Sequence, residues 1–273
     1  RVTFEVQGEL GVAVEAGDAD AQHRLDALRR DWPLAAGEPF TQSAWAAAKN
    51  ASLAQLRADG YPAATWSGTG VEVDPATQRA RIFVVADSGP LFRLGELRVE
   101  GLERYRESAV RNLAGFVPGA VYSESLLAEF QERLRKAGLF EAVAVDVEVG
   151  AARAAAAPVV VRVRELTLQQ ATTGVGISAN TGPRVSLEHV HRRAFGERLT
   201  AKNKFEIGRD LRLWEGELVT HPLPGFYRDL VAGSVERLSV NNEIRSSWRL
   251  RAGRTQDTQR IERLYFAELQ GAT

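Results

Sequence analysis

The chain repeats itself. Residues 2–8, VTFEVQG, and residues 95–101, GELRVEG, are alternating strands that each end in glycine. GEPF at 37–40 corresponds to GAVY at 119–122, each opening a helical stretch. Those stretches close alike, on Ala58-Asp59-Gly60-Tyr61 and Ala137-Gly138-Leu139-Phe140, a glycine cap followed by an aromatic. A repeat of this length makes each copy one supersecondary unit, which restricts the fold more than any single motif. In the second copy Leu126, Leu127, Phe130 and Leu134 fall at helical spacing, with Glu129, Glu132, Arg133 and Lys136 on the opposite face. Trp45, Leu53 and Leu56 form the matching stripe of the first copy.

Shorter helices precede these, over 20–32 with Asp18 or Asp20 as N-cap, and over 106–113. Two strand-like runs follow each long helix, at 63–73 and 79–86, and at 142–149 and 159–165, with Asp74, Pro75 and Ala76 turning the first hairpin. Each unit therefore reads strand, helix, helix, strand, strand. The expectation is an α+β module in which two helices cover one face of a three-stranded sheet.

After residue 166 helical periodicity stops and turn signals recur, so 167–273 is expected to be all β. Leu199, Ala201, Phe205 and Ile207 share one face of a strand, and Thr200, Lys202, Lys204 and Glu206 the other. Ser246, Trp248, Leu250 and Ala252 alternate with Arg245, Ser247, Arg249 and Arg251 in the same way. An apolar face backed by a charged one fits a half-buried soluble sheet or the wall of a transmembrane barrel. No apolar run reaches the roughly 20 residues of a spanning helix. The candidate at 154–161 is short and contains Pro158. That says nothing of strands, which escape a hydropathy scan.

The 35 basic and 35 acidic residues balance, which gives a polyanion no attractive field, so no nucleic-acid partner is expected. With no cysteine there is no thiol nucleophile, thiolate metal site or disulfide. The chain opens at Arg1 with no leader of signal-peptide type and is expected to be a processed or excised piece.

The passage DSGPLFRLGELRVEG at 87–101 resembles the junction between successive POTRA domains. GVGISANTGPR at 174–184, FGERLTAKNKFE at 195–206 and THPLPGFYRDLVAGSVER at 220–237 resemble the first barrel strands and a periplasmic turn of POTRA/β-barrel outer-membrane assembly factors, most of all the translocation and assembly module (TamA) family. The resemblance covers essentially the whole chain, and the order of its motifs is what makes it specific. It implies POTRA-type modules at 1–88 and 89–166, then the N-terminal strands of an outer-membrane β-barrel at 167–273. Six or seven strand-like segments follow Thr167, fewer than the ~8 of the smallest closed barrels, so this barrel is incomplete. The TamA family is expected to carry three modules, so a first one is expected to be missing.

The resemblance further implies a bacterial outer-membrane protein with its modules in the periplasm, assembling or inserting client proteins such as autotransporters. Its partners would be unfolded outer-membrane clients, outer-membrane lipid and an inner-membrane-anchored subunit. A two-partner-secretion pore and a soluble periplasmic interaction module remain open as alternatives. Strand edges are the useful chemistry of such a protein, because their unpaired N–H and C=O groups accept a guest strand. The candidate client-binding residues are Val143, Val145 and Val147 on an edge running 143–149, and Thr172, Thr173, Gly174, Gly176 and Ser178 on a first barrel strand running 169–180. Glycines there permit close backbone approach, or simply allow the barrel to curve.

No catalytic constellation, cofactor motif or metal site is expected. His189 and His191 share a strand face and could form a metal pair with Glu197 or His221, but no ligand motif supports it, and solvent-facing or lumen-facing histidines are the simpler reading. Gly174 and Gly176 lack the third glycine and the helix of a dinucleotide loop. Arg192 with Arg193, and Arg133 with Arg135, read as solvated charge.

Overall fold

The computed structural model describes residues 2–34, 37–178, 182–240, 243–258 and 261–273, with Ser178 and Val240 described in backbone only. Residues 179–180, expected to end the first barrel strand, lie outside the described residues.

In the first copy β1 (Val2–Gln7) leads into α1 (Gly8–Glu15), α2 (Ala19–Arg30), α3 (Gln42–Ala58), β2 (Thr65–Asp74) and β3 (Arg79–Asp87). β3 is central, with β1 parallel on one side and β2 antiparallel on the other. Asp18 caps α2 by accepting the Ala21 N–H at 2.9 Å, and Thr41 caps α3 by accepting that of Ala44 at 3.1 Å. The helices bury Leu25, Leu28, Trp45 and Leu56 against Phe4, Ile82 and Val84 of the sheet. Trp32 bridges Phe4 and Trp45, with ring centroids 5.7 and 6.1 Å away. Asp74 holds the hairpin turn by accepting from the hydroxyl and N–H of Thr77 and from the N–H of Ala76, bonds that keep its carboxyl below the usual range.

α1 is an addition to the expected two helices. GELGVAVE, with two glycines and two valines, has little intrinsic helix propensity. Tertiary partners for its first N–H groups supply what propensity lacks: Gly89 O accepts from Glu9 at 3.1 Å and Ser88 Oγ from Leu10 at 3.1 Å.

The second copy keeps the expected order: β4 (Leu94–Glu100), α4 (Ser108–Arg111), α5 (Glu124–Lys136), β5 (Phe140–Val147) and β6 (Ala157–Glu165), in sheet order β4-β6-β5. The repeat in sequence is thus a repeat in structure. Gly60 and Gly138 both turn the chain with positive φ, +91° and +70°, and each is followed by a buried aromatic, Tyr61 and Phe140.

The linker between the copies is held by backbone hydrogen bonds on both sides. Leu91 N–H donates to the Glu9 carboxylate, Phe92 pairs with Gly60 and Tyr122, Arg93 with Ala154 and Ala157, and Leu94 with Ala120 and Gly119. Phe92, completely buried, packs on Ala63, Tyr122, Val147, Ala154 and Ala157. By its contacts the chain forms two compact units, Arg1–Arg98 with Gly115–Glu129 and Ala144–Val161, and Val99–Ala114 with Phe130–Val143 and Arg162–Thr273. The second copy contributes to both.

Seven antiparallel strands follow: β7 (Gln169–Ser178), β8 (Gly182–His191), β9 (Leu199–Gly208), β10 (Leu211–Thr220), β11 (Tyr227–Val240), β12 (Glu243–Asp257) and β13 (Glu262–Ala272). Among the described residues they pair in sequence order, with β7 and β13 at the two ends of the sheet. At 10 to 15 residues each is as long as the ~9–11 residues a tilted transmembrane strand needs.

Candidate functional site

Register decides what the two faces of the large sheet present. One cross-strand row reads Thr173, Leu187, Phe205, Trp214, Val235 and Trp248; the adjacent row reads Thr172, Glu188, Lys204, Glu215, Ser234 and Arg249. Because side chains alternate across a strand, these rows point to opposite faces. The first face carries Val175, Ile177, Val185, Ile207, Val231, Leu250 and Leu269 as well, all at least partly open to the surroundings, with Val175 88% and Ile177 87% exposed. Apolar surface of that extent marks a face that meets a lipid phase or another protein surface. The opposite face is laced with ion pairs: Lys202 with Glu217 at 2.8 Å, Arg184 with Glu206 at 2.9 Å, and Arg251 with Glu268 at 2.7 Å.

β7 supplies one set of candidate residues. Its outer edge carries no strand among the described residues. Thr172, Gly174 and Gly176 lie on the charged face and Thr173 on the apolar one, while Ser178 ends the strand opposite Gly182. Gly174 is crowded by β8, whereas Gly176 has room for a Cβ in ordinary contact. A Cβ on Gly174 would sit 2.7 Å from Ser186 Oγ, and one on Gly176 3.4 Å from Arg184 Nε. β5 supplies the other set and is an edge of its own sheet. Val143, Val145 and Val147 are half-buried on one face of it, and the strand ends at Val147, short of the expected 149. The two sets belong to different sheets and form no single site.

His189 and His191 lie on the apolar side of β8, with His189 Nε2 3.3 Å from Gln169 Oε1. Among the described residues no three histidine, aspartate or glutamate side chains gather as a metal site. His221 is buried elsewhere and bonds Arg192 O.

The reading of Arg192 as solvated charge is overturned: it is 8% exposed and central to a polar cluster. Its backbone N–H donates to Leu168 O at 2.9 Å. Its guanidinium donates to Gly138 O at 3.1 Å, Thr167 O at 2.8 Å and Gln170 Oε1 at 3.1 Å. Its carbonyl accepts from His221 Nε2 at 2.8 Å, which fixes the tautomer with the proton on that nitrogen. Tyr105 stands edge-on to the His221 ring, centroids 5.3 Å apart, and the buried Glu165 carboxylate holds its loop through the N–H groups of Glu103, Arg104 and Tyr105. Burial pushes the His221 imidazole below its ordinary pKa, with Arg198, Arg228 and Arg193 adding to the effect. Burial raises the Tyr105 hydroxyl, and Glu165 raises it further.

Arg133 also departs from expectation. Its Nε donates to Leu113 O at 2.9 Å and its guanidinium covers the Phe226 ring at 4.7 Å, whereas Arg135 is exposed beside Glu132. Apart from Arg135 beside Glu132, these contacts join residues far apart in sequence, so periodicity carries no sign of them. The only sequence signal is the clustering of Arg192, His221 and Phe226 at strand ends.

The POTRA family, described as surface antigen variable number repeat, matches residues 92–166. The chain is similar over its whole length to 49% of the crystal structure of BamA from Haemophilus ducreyi lacking POTRA domains 1–3, with TM-score 0.70 and 14% identity. CdiB from Acinetobacter baumannii matches with TM-score 0.53 and 10% identity, covering 98% of this chain and 52% of that one. CdiB from Escherichia coli matches with TM-score 0.53 and 13% identity, covering 98% and 50%. The chain spans about half the length of these structures, and at such identities the likeness is one of fold.

Proposed function

We propose that this protein, which has the fold of POTRA and β-barrel proteins, is part of an outer-membrane factor of the translocation-and-assembly-module type that inserts or translocates client proteins without covalent chemistry. POTRA-type modules at 1–88 and 89–166 stand in the periplasm, and 167–273 forms the first strands of the barrel wall. One observation carries this reading: a sheet with an exposed apolar face and an ion-paired face begins at a strand, β7, whose outer edge is unpaired among the described residues.

An unpaired edge offers a row of N–H and C=O groups at strand spacing, the template a client strand requires. Thr172, Thr173, Gly174 and Gly176 keep that edge free of bulky side chains at most positions, and Ser178 ends it. β5 offers a second edge, lined by Val143, Val145 and Val147, for an unfolded client segment in the periplasm. An inner-membrane-anchored subunit is a further partner on this reading.

Placing a photo-crosslinking residue at Thr173 in the full-length protein, with Ser234 inside the sheet as control, tests this. Client precursors are expected to crosslink at Thr173 and not at Ser234; equal labelling at both sinks the proposal. Similarity to CdiB keeps a secretion pore as the second reading. A pore predicts ion conductance across planar bilayers and crosslinks to the client at Glu215 and Ser234 on the charged face.

A further inference from the structure

The C-terminus of α5 is finished by residues outside its own module. A helix leaves its last four carbonyls without intrahelical donors. Here Ala137 N–H serves Arg133 O and Leu134 O, Gly138 N–H serves Arg135 O, and Leu166 N–H serves Leu139 O. Lys136 O and Gly138 O instead receive guanidinium groups from the ends of barrel strands, Arg228 Nη2 at 3.3 Å and Arg192 Nε at 3.1 Å. A cation at a helix C-terminus also meets the negative end of the helix dipole. All of these residues belong to one compact unit.

Arg192 does more than cap. Its fork reaches in three directions at once, to the helix end at Gly138, to the linker at Thr167 and to Gln170 on the edge strand β7. A planar guanidinium with fixed donor directions cannot keep all three acceptors if any one of them moves. At 8% exposure it has little water to substitute for a lost partner. Around it, His221 holds its carbonyl, Tyr105 holds His221, and Asn112 Nδ2 donates to Pro222 O at 2.8 Å.

We propose that Arg192 is a mechanical latch that couples the last POTRA-type module to the edge strand β7, so that freeing the start of β7 and releasing the end of α5 are one event. The module then reports on, and biases, the state of the edge that the proposed function uses. The inference rests on that reading for its purpose, but its test reads only the coupling.

Gln170→Leu removes the β7 arm and touches no residue of α5. In the full-length protein in lipid, amide exchange at residues 138–140 is expected to quicken at least tenfold in this variant, together with exchange at 167–170. Arg192→Lys keeps the charge but not the fork, and is expected to quicken both segments and to broaden the distance between spin labels at Glu132 and Glu188. None of the 273 residues is cysteine, so within this chain the labels attach only at the two introduced positions. Arg209→Gln, at the far end of the strands, should change neither segment. Exchange that rises at 167–170 alone in Gln170→Leu overturns the coupling. So does a label distance unchanged in Arg192→Lys. Loss of client crosslinking at Thr173 with the coupling intact overturns the function and leaves the latch.

Discussion

Tyr105 and His221 show how single residues set the character of the polar cluster. The Tyr105 hydroxyl is buried and has no partner among the described residues, so folding leaves its hydrogen-bonding capacity unused. Tyr105→Phe keeps the edge-on contact with His221 and removes that unmet group. It is expected to raise unfolding stability by about 1 kcal/mol in a urea titration. His221 is neutral in the fold and its pKa is held below 6.5, whereas the unfolded chain titrates near the ordinary value. Between those two values the unfolded state binds more protons, so stability rises with pH there. The contribution is complete above about pH 6.5 and is lost as pH falls toward the folded pKa. Melting of the native protein should therefore weaken on acidification through this window. In His221→Gln the slope should flatten.

At the scale of elements, β7 is shaped by its neighbour. Gly174 stands opposite Ser186 with no room for a Cβ unless that hydroxyl moves. Gly174→Val is expected to destabilise the sheet by about 1–3 kcal/mol through overpacking. Ser186→Gly in the same chain should recover most of the loss, and stability of the double variant against the two single ones checks it. No recovery would mean that Gly174 serves strand curvature rather than clearance. Helix α2 gives a simpler case: Asp18→Ala removes an N-cap bond of 2.9 Å and should cost about 1 kcal/mol.

The whole molecule turns on the two faces of its large sheet. Phe205 lies on the apolar face and Ser234 on the charged one, near the middle of their strands. On the proposed barrel reading, Phe205→Arg should lower unfolding stability in lipid by about 2–4 kcal/mol in a urea titration, the depth-dependent cost of a charge facing hydrocarbon. Arginine at 234, where water and Glu215 are at hand, should change stability by less than about 1 kcal/mol. Similar losses at both positions would mean that the apolar face is covered by protein rather than lipid.

Periodicity and local capping lie within a few residues of each other, so the sequence alone determined much of the architecture. The repeat, the stripe of Trp45, Leu53 and Leu56, the Asp18 cap, the turn at Asp74 and the alternation of 199–207 each became the expected element. It also placed β5 and β7 as candidate strands, because glycines and valines at alternating positions are visible without a fold. Only tertiary structure decided that Gly174 faces Ser186, and that GELGVAVE is helical once Ser88 and Gly89 meet its N–H groups. It alone turned Arg192 from apparent surface charge into the buried centre of a cluster. Its acceptors are backbone carbonyls at 138 and 167 and an amide at 170, and backbone carbonyls have no letter in a sequence.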